Sequence, residues 1–217
     1  MPTTQTIDYT LYLVTNHGEL TDAAFLQTIE AAIKGGVTLV QLREKNLTDE
    51  EFIALAHKVH AITQAHQVPL IIDDNIKVAQ AVHAEGIHVG DADLPVREVR
   101  NLMGDDIIIG ASTKSLAAAQ DAVAQGADYL GVGAIYPTKT KVITKPTSMA
   151  TLAEIVANVT IPVVAIGGIK PNVVPNFKGI PVDGFAVVSG IMASDDAQIA
   201  AKTYKDVITK TLAMEAN

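Results

Sequence analysis

Cysteine is absent from the 217 residues, which excludes disulfides, a thiol nucleophile and a thiolate metal site. Charge is scarce: Asp, Glu, Lys and Arg make up 18% of the chain, and acids outnumber bases to leave a net charge of −8. Such a balance is a poor match for nucleic acid or an anionic membrane as the main partner. No apolar run approaches the ~18 residues that a membrane helix needs. Met1 to Asp8 is polar and lacks the apolar region of a signal peptide. These absences predict a cytoplasmic protein that engages neither membrane nor nucleic acid. The chain also lacks a low-complexity segment and any composition break that would mark a second domain. What it does have is 48% hydrophobic residues, enough at this length for one large core.

Short β-like runs alternate with amphipathic helical patterns from end to end. Thr10 to Thr15 is the first run, and Thr21 to Lys34 the helix behind it, stopped by Gly35-Gly36. Val37 to Leu42 follows, then a helix opened by a capping box of Thr48 and Glu51. Phe52, Leu55, Ala56, Val59 and Ile62 recur along it at helical spacing, so one face is buried. The remaining strands are expected at Pro69 to Ile72, Gly86 to Val89, Asp106 to Ala111, Tyr129 to Gly133, Ile161 to Ile166 and Asp183 to Val188. Helical patterns separate them, and Asp195 to Leu212 closes the chain. The seventh unit is the weakest, because Lys170 to Pro181 holds three prolines and supports only a short helix. Nearly all-apolar strands are those covered on both faces. Eight β-α units over this length predict an α/β fold: a single (β/α)8 TIM-barrel domain over 1–217, with the barrel at about 10–212. An open doubly wound sheet is the rival, but no Gly-x-Gly-x-x-Gly opens a helix after the first strand.

Chemistry in such a barrel gathers at the C-terminal ends of the strands. Those positions hold Arg43, Glu44 and Lys45 after strand two, Asp73 and Asp74 after strand three, and Asp91 and Asp93 after strand four. Ser112 follows strand five. Thr138, Lys139, Thr140 and Lys141 follow strand six, Gly167-Gly168 strand seven, and Ser189-Gly190 strand eight. Each taken alone is more often a surface charge, a tight turn or a cap; their convergence on one rim makes a site. Asp74, Asp91 and Asp93 are hard oxygen ligands suited to Mg2+ shared with substrate phosphates. Arg43, Lys45 and Lys141 neutralise the same phosphates, and Arg43 can bind them in a bidentate manner. The glycine-rich loops after strands seven and eight offer backbone N–H groups to a second phosphate. Two anion sites are therefore predicted, one metal-assisted and one built from backbone. The six histidines form no metal or nucleophile constellation. His57, His60 and His66 read as solvated positions on one helix; His88 lies within strand four, where it could line the barrel, though packing is the preferred reading. With no cysteine and no Ser-His-Asp arrangement, covalent catalysis is not expected.

Val40-Gln41-Leu42-Arg43-Glu44-Lys45, Ile71-Ile72-Asp73-Asp74, Gly86-Ile87-His88-Val89-Gly90, the run from Gly131 to Lys141, and Ala165-Ile166-Gly167-Gly168-Ile169 together resemble the thiamine phosphate synthase family. The likeness extends from Leu11 to Ile191 with the motifs in order. It implies a transferase that joins hydroxymethylpyrimidine diphosphate to thiazole phosphate, releasing pyrophosphate. It assigns Gln41, Leu42, Arg43, Glu44, Lys45, Asp73, Ser112 and Lys141 to the pyrimidine diphosphate, with Arg43, Lys45, Ser112 and Lys141 as the catalytic group. Thr138, Lys139, Thr140, Gly168, Val188 and Ser189 fall on the thiazole phosphate, and Asp74 and Asp93 on Mg2+. The partners implied are small phosphorylated substrates, with self-association left open. Three positions and one segment depart from the family's usual residues: Asp73 replaces asparagine, Asp91 glutamine and Lys114 histidine, and Val142 to Pro146 differs from the usual loop. Asp73 is expected to act as an extra metal ligand that raises the Mg2+ requirement. A thiazole tautomerase on the same barrel, or a barrel that binds thiazole phosphate without catalysis, is the alternative.

Overall fold

Eight parallel strands close on themselves in chain order, each hydrogen-bonded to the next and the eighth to the first. The computed structural model describes residues 7–138 and 146–213. The strands are β1 (Leu11–Val14), β2 (Leu39–Leu42), β3 (Leu70–Asp73), β4 (Gly86–Val89), β5 (Ile108–Thr113), β6 (Tyr129–Gly133), β7 (Val163–Ile166) and β8 (Gly184–Val187). Around them lie α1 (Asp22–Lys34), α2 (Asp49–Ala65), α3 (Ile76–Val82), α4 (Val96–Met103), α5 (Leu116–Gln125), α6 (Met149–Asn158), α7 (Ser189–Met192) and α8 (Ala197–Ala213). The TIM-barrel expectation holds.

Strand alternation divides the apolar residues into two cores. Leu13, Val40, Leu42, Ile72, Ile87 and Val132 face outward into a core shared with the helices. Tyr12, Leu39, Ile71, Tyr129, Val164 and Ala186 face inward and fill the barrel. Packing on both faces explains why these strands read as unbroken apolar runs. Helix starts follow local chemistry: Thr21, Asn75, Ser115 and Ser148 each accept a backbone N–H of the first turn. Thr48 and Glu51 form both halves of the predicted capping box.

The weak seventh unit is as expected, and the fold differs from expectation in two other places. The seventh unit carries only a 3-10 turn at Val174–Phe177, with proline near its start. Strand β5 runs on to Thr113 because Ser112 and Thr113 pair with Gly131 and Val132 of β6, so Ser112 lies within the strand. The rim after β8 holds an additional one-turn helix, α7, which Ser189 opens.

Candidate active site

The end of β2 shows how alternation sorts a motif. Gln41, Arg43 and Lys45 face a cavity of about 450 Å3 at the C-terminal mouth of the barrel. Leu42 and Glu44 fall on the opposite side and are not among its walls. Leu42 is fully buried in the helix-facing core. Burial raises the Glu44 carboxyl above the ordinary carboxylate range, against the pull of His17 and Arg43. The backbone N–H of Arg43 donates to Thr15 Oγ1 at 3.0 Å, which anchors the β2 rim to β1.

Charge converges at this rim. Lys45 Nζ lies 2.6 Å from Asp73 Oδ2 and also contacts Asp74 Oδ2, and Arg43 Nε lies 3.5 Å from Asp73 Oδ2. Burial opposes a charged lysine, but hydrogen bonds and charge from Asp73 and Asp74 hold Lys45 above its ordinary pKa. Asp74 has a left-handed backbone, φ 49°, held by its N–H donating to His88 O at 2.9 Å. Its carboxyl is raised: burial leads, Lys45 opposes, and Asp73 and Asp93 add repulsion. Asp93 Oδ2 accepts the Gly90 N–H at 2.7 Å. Asp91 pairs with Lys114 at 2.8 Å, and both line the cavity.

The other side of the cavity is built from backbone. Gly167 and Gly168 have φ of +96° and +63°, which glycine adopts without strain. A Cβ on Gly168 would stand 2.7 Å from Pro137 O and 2.7 Å from Tyr136 Cβ, so no side chain fits there. Gly168, Val188 and Ser189 line the cavity together with Thr138. Lys139, Thr140 and Lys141 lie outside the described residues.

The floor joins the predicted Gln41 and Ser112 to Tyr12, which the sequence did not single out, and to His88. His88 links Tyr129 to Ser112 through its two ring nitrogens. His88 therefore points into the barrel; it is not merely packed. The barrel-lining alternative holds for His88, and its inward strand position one residue before Val89, in a strand ending at this mouth, is the signal for it.

Chemically, this mouth presents anion-binding cations and a hydroxyl on one side and a side-chain-free backbone cradle on the other. Among the described residues no three of His, Cys, Asp or Glu form a metal cluster. Asp74 and Asp93 still suit Mg2+, which keeps waters and takes substrate phosphate oxygens alongside one or two carboxylates. The raised Asp74 carboxyl, crowded by Asp73 and Asp93, is the feature that a hard cation would relieve.

The chain matches the family model described as thiamine monophosphate synthase over residues 11–191. A thiamine-phosphate synthase of Clostridium beijerinckii is 47% identical over 204 residues, covering 94% of this chain and 98% of the relative. One from Enterococcus faecalis is 50% identical over 185 residues, covering 85% and 87%. Among solved structures, thiamine phosphate pyrophosphorylase from Pyrococcus furiosus superposes with a TM-score of 0.86 at 32% identity, covering 95% of this chain and 98% of that one.

Proposed function

The chain belongs to the thiamine monophosphate synthase family, and from that premise we propose that its barrel mouth joins hydroxymethylpyrimidine diphosphate to thiazole phosphate, giving thiamine phosphate and pyrophosphate. It is an enzyme, a transferase of thiamine biosynthesis. The observation that carries the reading is the single cavity between Arg43, Lys45 and Ser112 on one wall and Gly168, Val188 and Ser189 on the other. Two phosphorylated substrates can face each other there.

The bond between the pyrimidine methylene carbon and the diphosphate oxygen breaks, and its electron pair leaves with pyrophosphate. The thiazole nitrogen lone pair then forms the new C–N bond to the pyrimidine-stabilised cation. No protein group needs to form a covalent bond. Arg43 and Lys45 bind the leaving group and stabilise its growing charge, and Lys141 is assigned to the same task by the family resemblance. Ser112 donates a hydrogen bond to the diphosphate. Gln41 orients the pyrimidine ring, while Gly168 and Ser189 offer backbone N–H groups to the thiazole phosphate, with Thr138 beside them. The apolar walls Val164, Ile166 and Val188 keep water from the cation. Holding both rings in one cavity replaces a bimolecular encounter by a positioned one. Asp74 and Asp93 would hold Mg2+, which when bound neutralises charge on the leaving diphosphate. Among the described residues no helix is long and apolar enough to cross a membrane. We place the reaction in the cytoplasm, where a chain without disulfides is ordinary.

The test is to mix the purified protein with both substrates and Mg2+ and to follow both products. Equal appearance of thiamine phosphate and pyrophosphate is expected. Isomerisation of a thiazole carboxylate phosphate without coupling would identify a tautomerase, and saturable binding without turnover a binding protein; either result overturns the proposal.

A further inference from the structure

A chain of hydrogen bonds crosses the inside of the barrel beneath the cavity. Gln41 Nε2 on β2 donates to Tyr12 OH on β1 at 2.8 Å. Tyr12 OH lies 2.8 Å from Tyr129 OH on β6. Tyr129 OH lies 2.9 Å from His88 Nδ1 on β4, and His88 Nε2 lies 2.9 Å from Ser112 Oγ on β5. Tyr129 is fully buried, and Tyr12, Gln41 and His88 are nearly so. The sequence keeps room for this chain. A side chain on Gly110 would collide with the Tyr129 phenol and with His88 Nδ1, and a Cβ on Gly131 would come within 3.2 Å of His88 Cε1.

The direction of the chain follows from what each group can do. An amide nitrogen only donates. Tyr12 accepts from Gln41; either phenol can donate across the Tyr12–Tyr129 link, and every link of the chain holds one donor when the Tyr12 proton goes to Tyr129. Burial raises both phenols well above their ordinary pKa, so each keeps one proton to give. The Tyr129 proton then goes to His88 Nδ1. A ring nitrogen that accepts is unprotonated, so the ring carries its proton on Nε2 and donates it to Ser112 Oγ. With His88 already donating, the Ser112 proton turns into the cavity. The reverse direction would tie the Ser112 proton to His88 and present lone pairs to an anion.

We propose that this cross-barrel relay fixes Ser112 as a hydrogen-bond donor to the leaving diphosphate, which makes Tyr12, Tyr129 and His88 positioning residues for the coupling reaction. The proposal rests on the functional reading above. It goes further in assigning a role to two tyrosines that do not belong to either phosphate site.

Two measurements on the full chain test it. The first is 15N NMR of the histidine rings, assigned by sequential connectivity, which reads the His88 tautomer with no substrate present. A ring protonated on Nε2 is expected in the parent, and a mixture of tautomers in Tyr129→Phe. The second is a kinetic cycle. Tyr129→Phe and Ser112→Ala should each lower kcat about tenfold, the loss of roughly one hydrogen bond to a charged group, and leave KM for thiazole phosphate unchanged. If Tyr129 acts through Ser112, the double variant is no slower than Ser112→Ala alone. Should Tyr129→Phe not fold, Tyr12→Phe interrupts the same chain one link earlier. A parent ring protonated on Nδ1, or losses that multiply in the double variant, overturns the relay. A parent that does not couple its substrates overturns the functional reading instead, while the NMR result still decides the direction of the chain.

Discussion

Lys45 ties two carboxylates of the site together, because its ammonium meets Asp73 and Asp74. In the substrate complex it would bridge those carboxylates and the departing diphosphate. Lys45→Ala should lower the coupling rate by about 100-fold, the usual result of removing one well-placed charge donor. Its side chain is 42% exposed, so thermal unfolding should shift little; a large shift with near-normal kcat would reverse the assignment. Glu44, its near neighbour in sequence, belongs to stability. Its folded pKa is raised by burial, so between the unfolded value of about 4.3 and the folded one the folded state holds a proton that the unfolded state has lost. This contribution lowers stability as pH rises through that window, and the penalty is complete above the folded pKa. Glu44→Gln removes it. The stability difference between variant and parent should therefore grow in the variant's favour from pH 4 upward and then level off, as read by urea unfolding across pH. A flat difference curve would mean that the Glu44 carboxylate bears no such penalty. The sequence shows residues of both kinds side by side, and only alternation along β2 separates Lys45 from Glu44. Tyr12, Tyr129 and His88 were harder to read: each looks like an ordinary core residue until strands distant in sequence bring their polar atoms together.

At the scale of elements, the barrel is stapled at its N-terminal end by a recurring device. The residue before each even-numbered strand caps a backbone N–H at the start of the preceding strand. Thr38 accepts from Leu11, Glu85 from Leu70, Asp128 from Ile109 and Asp183 from Val163. Each joins the two strands of one pair where the ladder begins and would otherwise leave a donor unmet. Asp128 also accepts from Arg100, whose guanidinium reaches the carbonyls of Ile107 and Gly126 as well. Asp128→Ala should cost about 1–3 kcal/mol, the range for stranding a buried backbone donor, measured from urea unfolding midpoints. Asp128→Asn should recover part of it, since its amide oxygen can still accept from Ile109. Unchanged midpoints in Asp128→Ala would show that water replaces the cap. These staples are invisible in the sequence because their partners lie 15 to 27 residues apart. Helix periodicity and the Thr48–Glu51 box, by contrast, are local and legible. Strand ends are not: Ser112 joins β5 only because β6 offers a partner.

Across the whole molecule, electrostatics make the diphosphate an awkward guest. The chain carries a net charge of −8. Among the described residues, the cavity walls set Arg43, Lys45 and Lys114 against Asp73, Asp91 and Asp93, with Asp74 beside them on Lys45. Each of these cations already faces a carboxylate, through the Arg43–Asp73, Lys45–Asp73 and Lys114–Asp91 pairs. The described mouth thus offers a diphosphate little net attraction, and a divalent cation on Asp74 and Asp93 would supply it. Chelating divalent ions should abolish coupling. Calorimetry should show pyrimidine diphosphate binding weakened at least about tenfold, since each tenfold loss corresponds to ~1.4 kcal/mol. Asp73→Asn separates two roles for Asp73. As an extra metal ligand, Asp73 would set the Mg2+ dependence, and its replacement would shift the rate profile along the Mg2+ axis. As a counter-charge that occupies Lys45 and Arg43, it would oppose the substrate, and the variant would bind diphosphate more tightly even with Mg2+ removed. The ion pairs favour the second outcome: Lys45 at 2.6 Å and Arg43 at 3.5 Å already face Asp73 Oδ2, which takes up positive charge that a diphosphate would otherwise meet. An Asp73→Asn protein with unchanged diphosphate affinity in chelator would show that the cations reorient freely, and that Asp73 matters through metal alone.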